Sequence, residues 1–215
     1  PAPSLYHDGS SVPADVAAAM IPLATATDRL IARTTQGQLI MGHRDHGSPE
    51  GWWAPPFEKP HLDSVTGNEP TIFFSLNCQT GRWDQAPATE SFAEKILRMD
   101  GAAPSLIAAT RDSHTWLNND LMRALFDGMW GGVLPTFPGG SASYPVRHNR
   151  LGDLLNYAKA YLPVGMAGSD EHIKDHFEIY HVVGDPTLEI WRAAPRRVTL
   201  KAWLVGQYLH IQHYR

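Results

Sequence analysis

Two residues of this sequence, His46 and Cys78, are of the types that together catalyse acyl transfer. A cysteine acts as a nucleophile when it is exposed, has a base or positive charge nearby and has donors for the oxyanion. Cys78 is the one cysteine in 215 residues, which excludes an intrachain disulfide and a cysteine-rich zinc site. The alternative for a lone cysteine is a small buried apolar residue, so its position in the fold decides between the two.

The elements that carry these residues are predicted to be neighbouring strands. Uncharged apolar runs predict buried strands at residues 38–42, 71–76 and 105–110. Helical patterns lie at residues 16–35, 91–99, 118–129, 150–162 and 171–181. Strands that alternate with helices predict an α/β fold, in which helices flank a parallel sheet.

The ends of two strands bring His46 and Cys78 to the same edge of this sheet. His46 follows the strand at 38–42, and Cys78 follows the strand at 71–76. Active sites of parallel sheets gather at the carboxyl ends of the strands, so we expect the imidazole and the sulfur to share one crevice. Gly47 has no side chain to block a ligand, and the backbone N–H groups of Gly47 and Cys78 are the expected oxyanion donors.

Composition and charge exclude several classes of protein. The chain is 43% hydrophobic and 19% charged, as is typical of a globular protein. Its net charge is −4 and it has no basic cluster. The sequence therefore lacks the positively charged surface that binds nucleic acid. Its apolar runs are shorter than the roughly 20 residues that span a membrane. The chain begins Pro1-Ala2-Pro3 with no initiator Met or signal sequence, so we expect a processed product or an excised segment.

The last part of the chain changes character. From 198 to 211, apolar residues alternate with the period of two of a half-buried strand, and Gly206 can turn the chain. This pattern predicts the opening hairpin of a β-sandwich module.

Two other segments have open interpretations. Residues 49–70 hold five prolines and predict an irregular surface excursion. Within it, Trp52 and Trp53 either border the cleft or pack under the loop. His172 and His176 have the four-residue spacing of a helical metal site, although a solvated helix face is the simpler interpretation.

Five short motifs occur in a characteristic order between residues 28 and 192. They are His46-Gly47-Ser48, Asn77-Cys78 with Gly81, Ser91-Phe92-Ala93-Glu94, Ile107-Ala108-Ala109-Thr110 and Val183-Gly184-Asp185-Pro186-Thr187-Leu188. Together they resemble the gingipain family of cysteine peptidases, within the caspase-like group. The resemblance implies a secreted or cell-surface bacterial enzyme. We therefore predict the catalytic half of a caspase-like domain over residues 1–192 and the start of an immunoglobulin-like β module over 193–215.

The resemblance also implies a role for each site residue. Cys78 attacks the scissile carbonyl to form an acyl-enzyme, and His46 protonates the leaving amine and then activates water. The Gly47 and Cys78 amides form the oxyanion hole. Trp116, in the loop after the strand at 105–110, lines the pocket for the residue before the cut.

The resemblance also implies which partners and cofactors the chain has. The implied substrates are proteins or peptides. Family members use no catalytic cofactor and often carry structural calcium. Their preceding half supplies the residue that orients the histidine and the acidic residue that selects basic substrates. A separate chain that carries this half is therefore an expected partner.

Two alternatives use the same region differently. His43, Asp45 and His46 have the spacing of the last three ligands in the His-x-His-x-Asp-His pattern of metallo-β-lactamases, which indicates a metal-dependent hydrolase. Met41 stands where the first histidine of that pattern would be. A catalytically idle caspase-like scaffold of a secretion or sorting system is the other alternative, although such domains usually lose one residue of the catalytic pair.

Overall fold

Uncharged runs rich in apolar residues form the two fully buried strands of this protein, and amphipathic segments form several of its helices. The computed structural model describes residues 5, 9–67, 69–85, 89–134, 137, 148–165, 169–191 and 199–214. The strands are β1 (Ile40–Arg44), β2 (Gly47–Ser48), β3 (Gly51–Trp53), β4 (Pro56–Glu58), β5 (Ile72–Leu76), β6 (Ser105–Ala109), β7 (Tyr180–Gly184), β8 (Thr199–Val205) and β9 (Tyr208–Tyr214). The helices are α1 (Ala14–Ala19), α2 (Leu23–Gln36), α3 (Lys59–Leu62), α4 (Phe92–Arg98), α5 (Thr115–Trp130), α6 (Leu151–Gly165) and α7 (Asp170–Ile179). Over the described ranges, no helix combines the length and the apolar character needed to cross a membrane.

The central sheet has the strand order β1-β5-β6-β7. β1, β5 and β6 run parallel, and β7 pairs antiparallel with β6 at one edge. The strands predicted at 38–42, 71–76 and 105–110 are confirmed, with ends that differ by one or two residues. The helix predicted to reach His181 is too long, because α7 ends at Ile179 and the chain enters β7 without a glycine or proline to mark the change.

Both faces of the sheet are covered, so β5 and β6 are buried along their whole length. The period of two sends Phe74 and Leu76 toward α5 and α6, and Phe73 toward α4 and the β2-β3-β4 sheet. The first layer includes Leu121, Leu125, Leu154, Leu155, Ala158 and Leu162. The second includes Met41, Trp52, Phe57, Phe92, Ile96 and Leu106.

The segment 49–70, predicted to be irregular, contains ordered structure instead. β3 lies between β2 and β4, and Trp52 pairs with both Gly47 and Phe57. The aromatic side chains of Trp52 and Phe57 are buried, and this burial outweighs the effect of the prolines. Pro56 is tolerated because it lies in an edge strand, where its missing N–H is not needed by a neighbour.

The helix predicted over residues 16–35 is two helices, α1 and α2. Met20 has an extended backbone and ends α1, and Pro22 immediately precedes α2. A residue before proline avoids the helical region, so Pro22 interrupts the helical pattern.

β8 and β9 form the hairpin predicted at residues 198–211, with Gly206 in the left-handed conformation at the turn. Leu204, Leu209 and Ile211 are exposed on it. The immunoglobulin-like continuation stays a prediction. The boundary between 192 and 193 lies outside the described residues.

Candidate active site

His46 and Cys78 occupy equivalent positions beyond two paired strands. The last pair between β1 and β5 is Arg44 with Leu76, and partners throughout this ladder differ by 32 in residue number. His46 and Cys78 differ by the same number, and each follows the last pair by two residues. Because neighbouring strands lie about 4.8 Å apart, the two loops leave the carboxyl edge of the sheet side by side.

Gly47 allows the histidine loop to contact the cysteine loop. A Cβ at position 47 would lie 2.9 Å from both Cγ and Oδ1 of Asn77, the residue before Cys78. Non-bonded carbon atoms prefer separations of about 3.5 to 4.0 Å, so a larger residue would push the loops apart. Gly47 does not have a positive φ, so its backbone conformation does not require glycine. The close approach of Asn77 is therefore the reason for a glycine after His46.

Cys78 does not belong to either apolar core cluster. Cys78 is half-buried. Its Sγ accepts a hydrogen bond from the backbone N–H of Ser113 at 3.4 Å, and its S–H donates to the Ser113 carbonyl at 3.7 Å. The next residue, Gln79, has a φ of 59°, which is uncommon for a residue other than glycine. The side-chain amide of Gln79 donates to Asp112 Oδ1 at 2.7 Å, which secures this turn.

Ser113, which contacts the sulfur, is held by a buried network. Asn118 donates to Ser113 Oγ at 2.8 Å, and the Tyr180 hydroxyl donates to Asn118 Oδ1 at 2.6 Å. His176 packs against Tyr180 and hydrogen-bonds the carbonyl of His172 through Nδ1 at 3.0 Å. Burial lowers the pKa of His176 to about 4. The interpretation as a solvated helix face is therefore wrong for His176, which is fully buried.

Trp116 lies in the first turn of α5, three residues after Ser113. We predicted it in a loop with a helix that starts near Asn118, but α5 starts at Thr115, so this placement is corrected. The indole is 52% exposed and stacks on the ring of His114, with the centroids 5.3 Å apart. An exposed aromatic surface three residues from Ser113, which contacts the sulfur, can contact a substrate side chain.

Trp53 covers the imidazole of His46. The two rings stack with centroids 5.6 Å apart, and the backbone N–H of Trp53 donates to the His46 carbonyl at 3.2 Å. Trp53 is 53% exposed, whereas its neighbour Trp52 points to the other side of β3 and is buried. Both tryptophans were left open from the sequence, although the alternation of side chains along a strand would have separated them.

His43 does not join Asp45 and His46 in a metal site. Its Nδ1 lies 2.8 Å from Asn77 Nδ2, and its Nε2 lies 3.2 Å from the carbonyl oxygen of Ala54, so both ring nitrogens have partners. Within the part of the chain that the structure describes, no group of three or more His, Cys, Asp or Glu could hold a metal ion. These residues do not support the metal-dependent hydrolase, and they offer no side-chain cage for the structural calcium, which stays a prediction.

Comparison with known proteins agrees with this architecture. Residues 4–191 match the profile of Peptidase family C25. No curated protein matches the chain. Among solved structures, the crystal structure of the Arg-specific cysteine proteinase gingipain R matches with a TM-score of 0.65 at 16% identity, over 82% of this chain and 39% of that one. The complex of the Porphyromonas gingivalis RgpB pro- and mature domains matches with a TM-score of 0.63 at 16% identity, over 82% and 40%. A structure described as a protease matches with a TM-score of 0.62 at 20% identity, over 79% and 39%.

These matches differ in what they establish. At 16–20% identity the structural likeness shows the fold, so the α/β sheet with its helices has the caspase-like architecture of gingipain. The chain spans about two-fifths of the length of these structures. The family profile, in contrast, covers most of this chain. The chain therefore belongs to Peptidase family C25, the gingipain family that its motifs resemble.

Proposed function

We propose that this chain is the catalytic part of a cysteine endopeptidase, with Cys78 as the nucleophile and His46 as the general acid and base. The observation that carries the proposal is the shared position of the two residues beyond β1 and β5. The contact of Gly47 with Asn77 supports it, because that contact keeps the two loops together. Membership of a peptidase family supports the reaction class.

In the proposed reaction, the Cys78 thiolate attacks the carbonyl carbon of the scissile peptide bond. The backbone N–H groups of Gly47 and Cys78 stabilise the charge on the carbonyl oxygen, each by about 3 kcal/mol. The imidazolium of His46 gives its proton to the leaving nitrogen as the C–N bond breaks, which leaves a thioester on Cys78. Neutral His46 then takes a proton from the water that attacks the thioester. Cleavage of the C–S bond releases the acid and restores the thiolate and the imidazolium.

Contacts around the pair support these roles. The Ser113 N–H, at 3.4 Å from the sulfur, is a donor whose hydrogen bond strengthens when the sulfur becomes negative. Trp53 stacks on the His46 ring and restricts its rotation. Together the two contacts limit the movement of both reacting side chains.

We propose protein or peptide substrates and a substrate-binding role for Trp116. Its half-exposed indole stacks on His114, which follows Ser113 directly, and Trp116 lies three residues after Ser113. A substrate side chain next to the scissile bond would therefore meet an aromatic wall.

We further propose that the preceding half of the catalytic domain acts with this chain, as a separate chain or an adjoining segment. In the described ranges, no side chain or carbonyl hydrogen-bonds the imidazole of His46. An added half would supply the group that orients this ring, which is the role implied by the resemblance to gingipains. The same resemblance supports a secreted or cell-surface location.

A covalent probe tests the proposal. The protein in its natural form is treated with a peptidyl acyloxymethyl ketone, and the label is located by peptide mapping. We expect one label, on Cys78, and loss of peptide hydrolysis with the same time course. A positional peptide library then gives the preferred residue at the cut.

The Cys78→Ala variant is the matched control for this labelling. It should keep its circular dichroism spectrum and lose hydrolysis by a factor on the order of 10⁴ or more. Hydrolysis that survives the substitution rejects the proposal. An unlabelled Cys78 together with no hydrolysis by the natural protein favours the idle scaffold.

A further inference from the structure

A continuous chain of hydrogen bonds connects the ends of β1, β3 and β5 beside the proposed dyad. Its members, in order, are Trp52 Nε1, Ser75 Oγ, Thr80 Oγ1, Asn77 Oδ1 and Nδ2, His43 Nδ1 and Nε2, and the carbonyl oxygen of Ala54. The successive distances are 2.8, 2.9, 2.8, 2.8 and 3.2 Å. The side chains of Trp52, Ser75, Thr80, Asn77 and His43 are buried. Buried polar chains of this kind fix a unique arrangement when every group is satisfied.

The chemistry of the members fixes which way each group points. The Trp52 indole can only donate, so the Ser75 hydroxyl accepts from it and gives its own proton onward. Thr80 donates to Asn77 Oδ1, and Ser75 Oγ also lies 3.1 Å from that oxygen. The amide oxygen of Asn77 therefore faces the hydroxyls, whichever of the two donates.

The amide nitrogen of Asn77 consequently faces His43. An amide NH₂ only donates, so His43 Nδ1 must be unprotonated to accept this bond. The proton of a neutral ring then resides on Nε2, which donates to the Ala54 carbonyl. Protonation of His43 would place an N–H opposite the N–H of Asn77 and break the chain at this point.

Asn77 also contacts both loops of the proposed site. It precedes Cys78, so the peptide that carries the Cys78 N–H begins at Asn77. Its side chain lies against Gly47, where a Cβ would be 2.9 Å away. Any rotation or shift of Asn77 therefore changes the separation of the two loops.

We propose that Asn77 and neutral His43 are positioning residues that set the distance between Cys78 and His46. This inference rests on the proposed function for its catalytic consequence. The hydrogen-bonded arrangement itself depends on no reaction, and it is tested separately.

The surroundings of His43 favour its neutral form. Burial lowers the pKa of His43. The hydrogen bond to Ala54 and the nearby Asp45 act in the opposite direction, and Arg44 acts in the same direction as burial. The ring is also stacked on Trp52 at a centroid distance of 4.4 Å, so it has no room to turn away.

A spectroscopic experiment tests the pairing without reference to catalysis. The His43 ring is titrated by NMR in the wild type and in Asn77→Asp, a variant of nearly the same shape. The introduced carboxylate would accept from Thr80 as the Asn77 amide oxygen does, and it would also accept from protonated His43. The pKa of His43 should therefore rise by about one unit or more relative to the wild type, as for a base beside an opposite charge. An unchanged titration overturns the pairing.

A kinetic experiment tests the positioning role. Asn77→Ala in the natural protein should reduce kcat about 100-fold, the loss expected for a displacement near 1 Å, and leave KM within about threefold. His43→Gln keeps an acceptor and a donor and should retain kcat within about threefold, whereas His43→Leu should not. Asn119→Ala, an exposed asparagine on α5, is the matched control and should behave as wild type.

The outcomes of the two experiments are separable. A wild-type kcat in Asn77→Ala or His43→Leu overturns the positioning role. If Asn77→Ala does not fold, His43→Gln against His43→Leu decides the same question. If no variant or wild type hydrolyses peptides, the proposed function fails, and the NMR titration still decides the pairing.

Discussion

Replacement of Gly47 by alanine is a small change with a large expected effect. The added Cβ would lie 2.9 Å from Cγ and Oδ1 and 3.1 Å from Cβ of Asn77. Relief of these contacts to about 3.5 Å or more requires the loops to separate by roughly 0.5 to 1 Å. The backbone N–H of residue 47 remains, so the substitution changes the spacing of the site without removing an oxyanion donor.

A displacement near 1 Å costs about 100-fold in rate, which corresponds to about 2.7 kcal/mol of transition-state stabilisation. We therefore expect kcat/KM of Gly47→Ala to fall by roughly 30- to 100-fold in a peptide hydrolysis assay. Iodoacetamide should still label Cys78 in this variant. Gly42→Ala is the matched control, because its Cβ would meet only the flexible end of Met122, with Cε at 3.2 Å. A folded Gly47→Ala protein with kcat/KM within about threefold of wild type would refute the close-approach reasoning.

Two further predictions concern Trp53 and His176. Trp53→Ala removes the ring that stacks on the imidazole, and because such aromatic contacts contribute about 0.5 to 1.5 kcal/mol, kcat should fall about two- to tenfold. The control variant Trp130→Ala, at the far end of α5, should leave kcat unchanged. An unaffected kcat in Trp53→Ala would show that Trp53 does not belong to the site. For His176, the folded pKa of about 4 lies below the ordinary 6.5, so the unfolded chain binds a proton first as the pH falls. The contribution of His176 to the free energy of unfolding should be fully present well above pH 6.5 and should decrease by up to about 3 kcal/mol as the pH falls from 6.5 to 4. Urea titrations at several pH values give the slope of the free energy of unfolding against pH. This slope should be similar in wild type and His172→Gln and smaller in His176→Gln. Equal slopes in all three proteins would contradict the prediction.

The sequence was sufficient where one local signal dominated. β5 is an uncharged run rich in β-branched and aromatic residues, which favours a buried strand, and the position of Cys78 beyond its end followed from that prediction. The capping box of Ser91 and Glu94 marked the start of α4, and both of its hydrogen bonds are present. The alternation of strands and helices was sufficient to predict a parallel sheet flanked by helices, whereas the strand order came from the structure.

The sequence was insufficient where tertiary burial decided the outcome. Prolines in the segment 49–70 suggested a loop, but burial of Trp52 and Phe57 organises three short strands there. His176 looked like a surface residue by spacing, and only the packing of α7 buries it beside Tyr180. These contacts join residues far apart in the chain, which no local pattern records.

Part of the site was also beyond local patterns. The contact between Ser113 and the sulfur joins residues 35 apart in the chain and depends on the loop that precedes α5. The orientation of Asn77 depends on His43, 34 residues away. Motif spacing was sufficient to propose His46 and Cys78 as candidates, whereas the residues that contact them required three-dimensional packing.

The most direct test of the central claim is detection of the acyl-enzyme. The natural protein is mixed with a peptide ester, quenched in acid within the first turnovers and analysed by mass spectrometry with peptide mapping. The account predicts an acyl group on Cys78 that is absent in Cys78→Ala and that hydrolyses more slowly in His46→Ala. An acyl group on another residue, or ester and peptide turnover in Cys78→Ala, would contradict it.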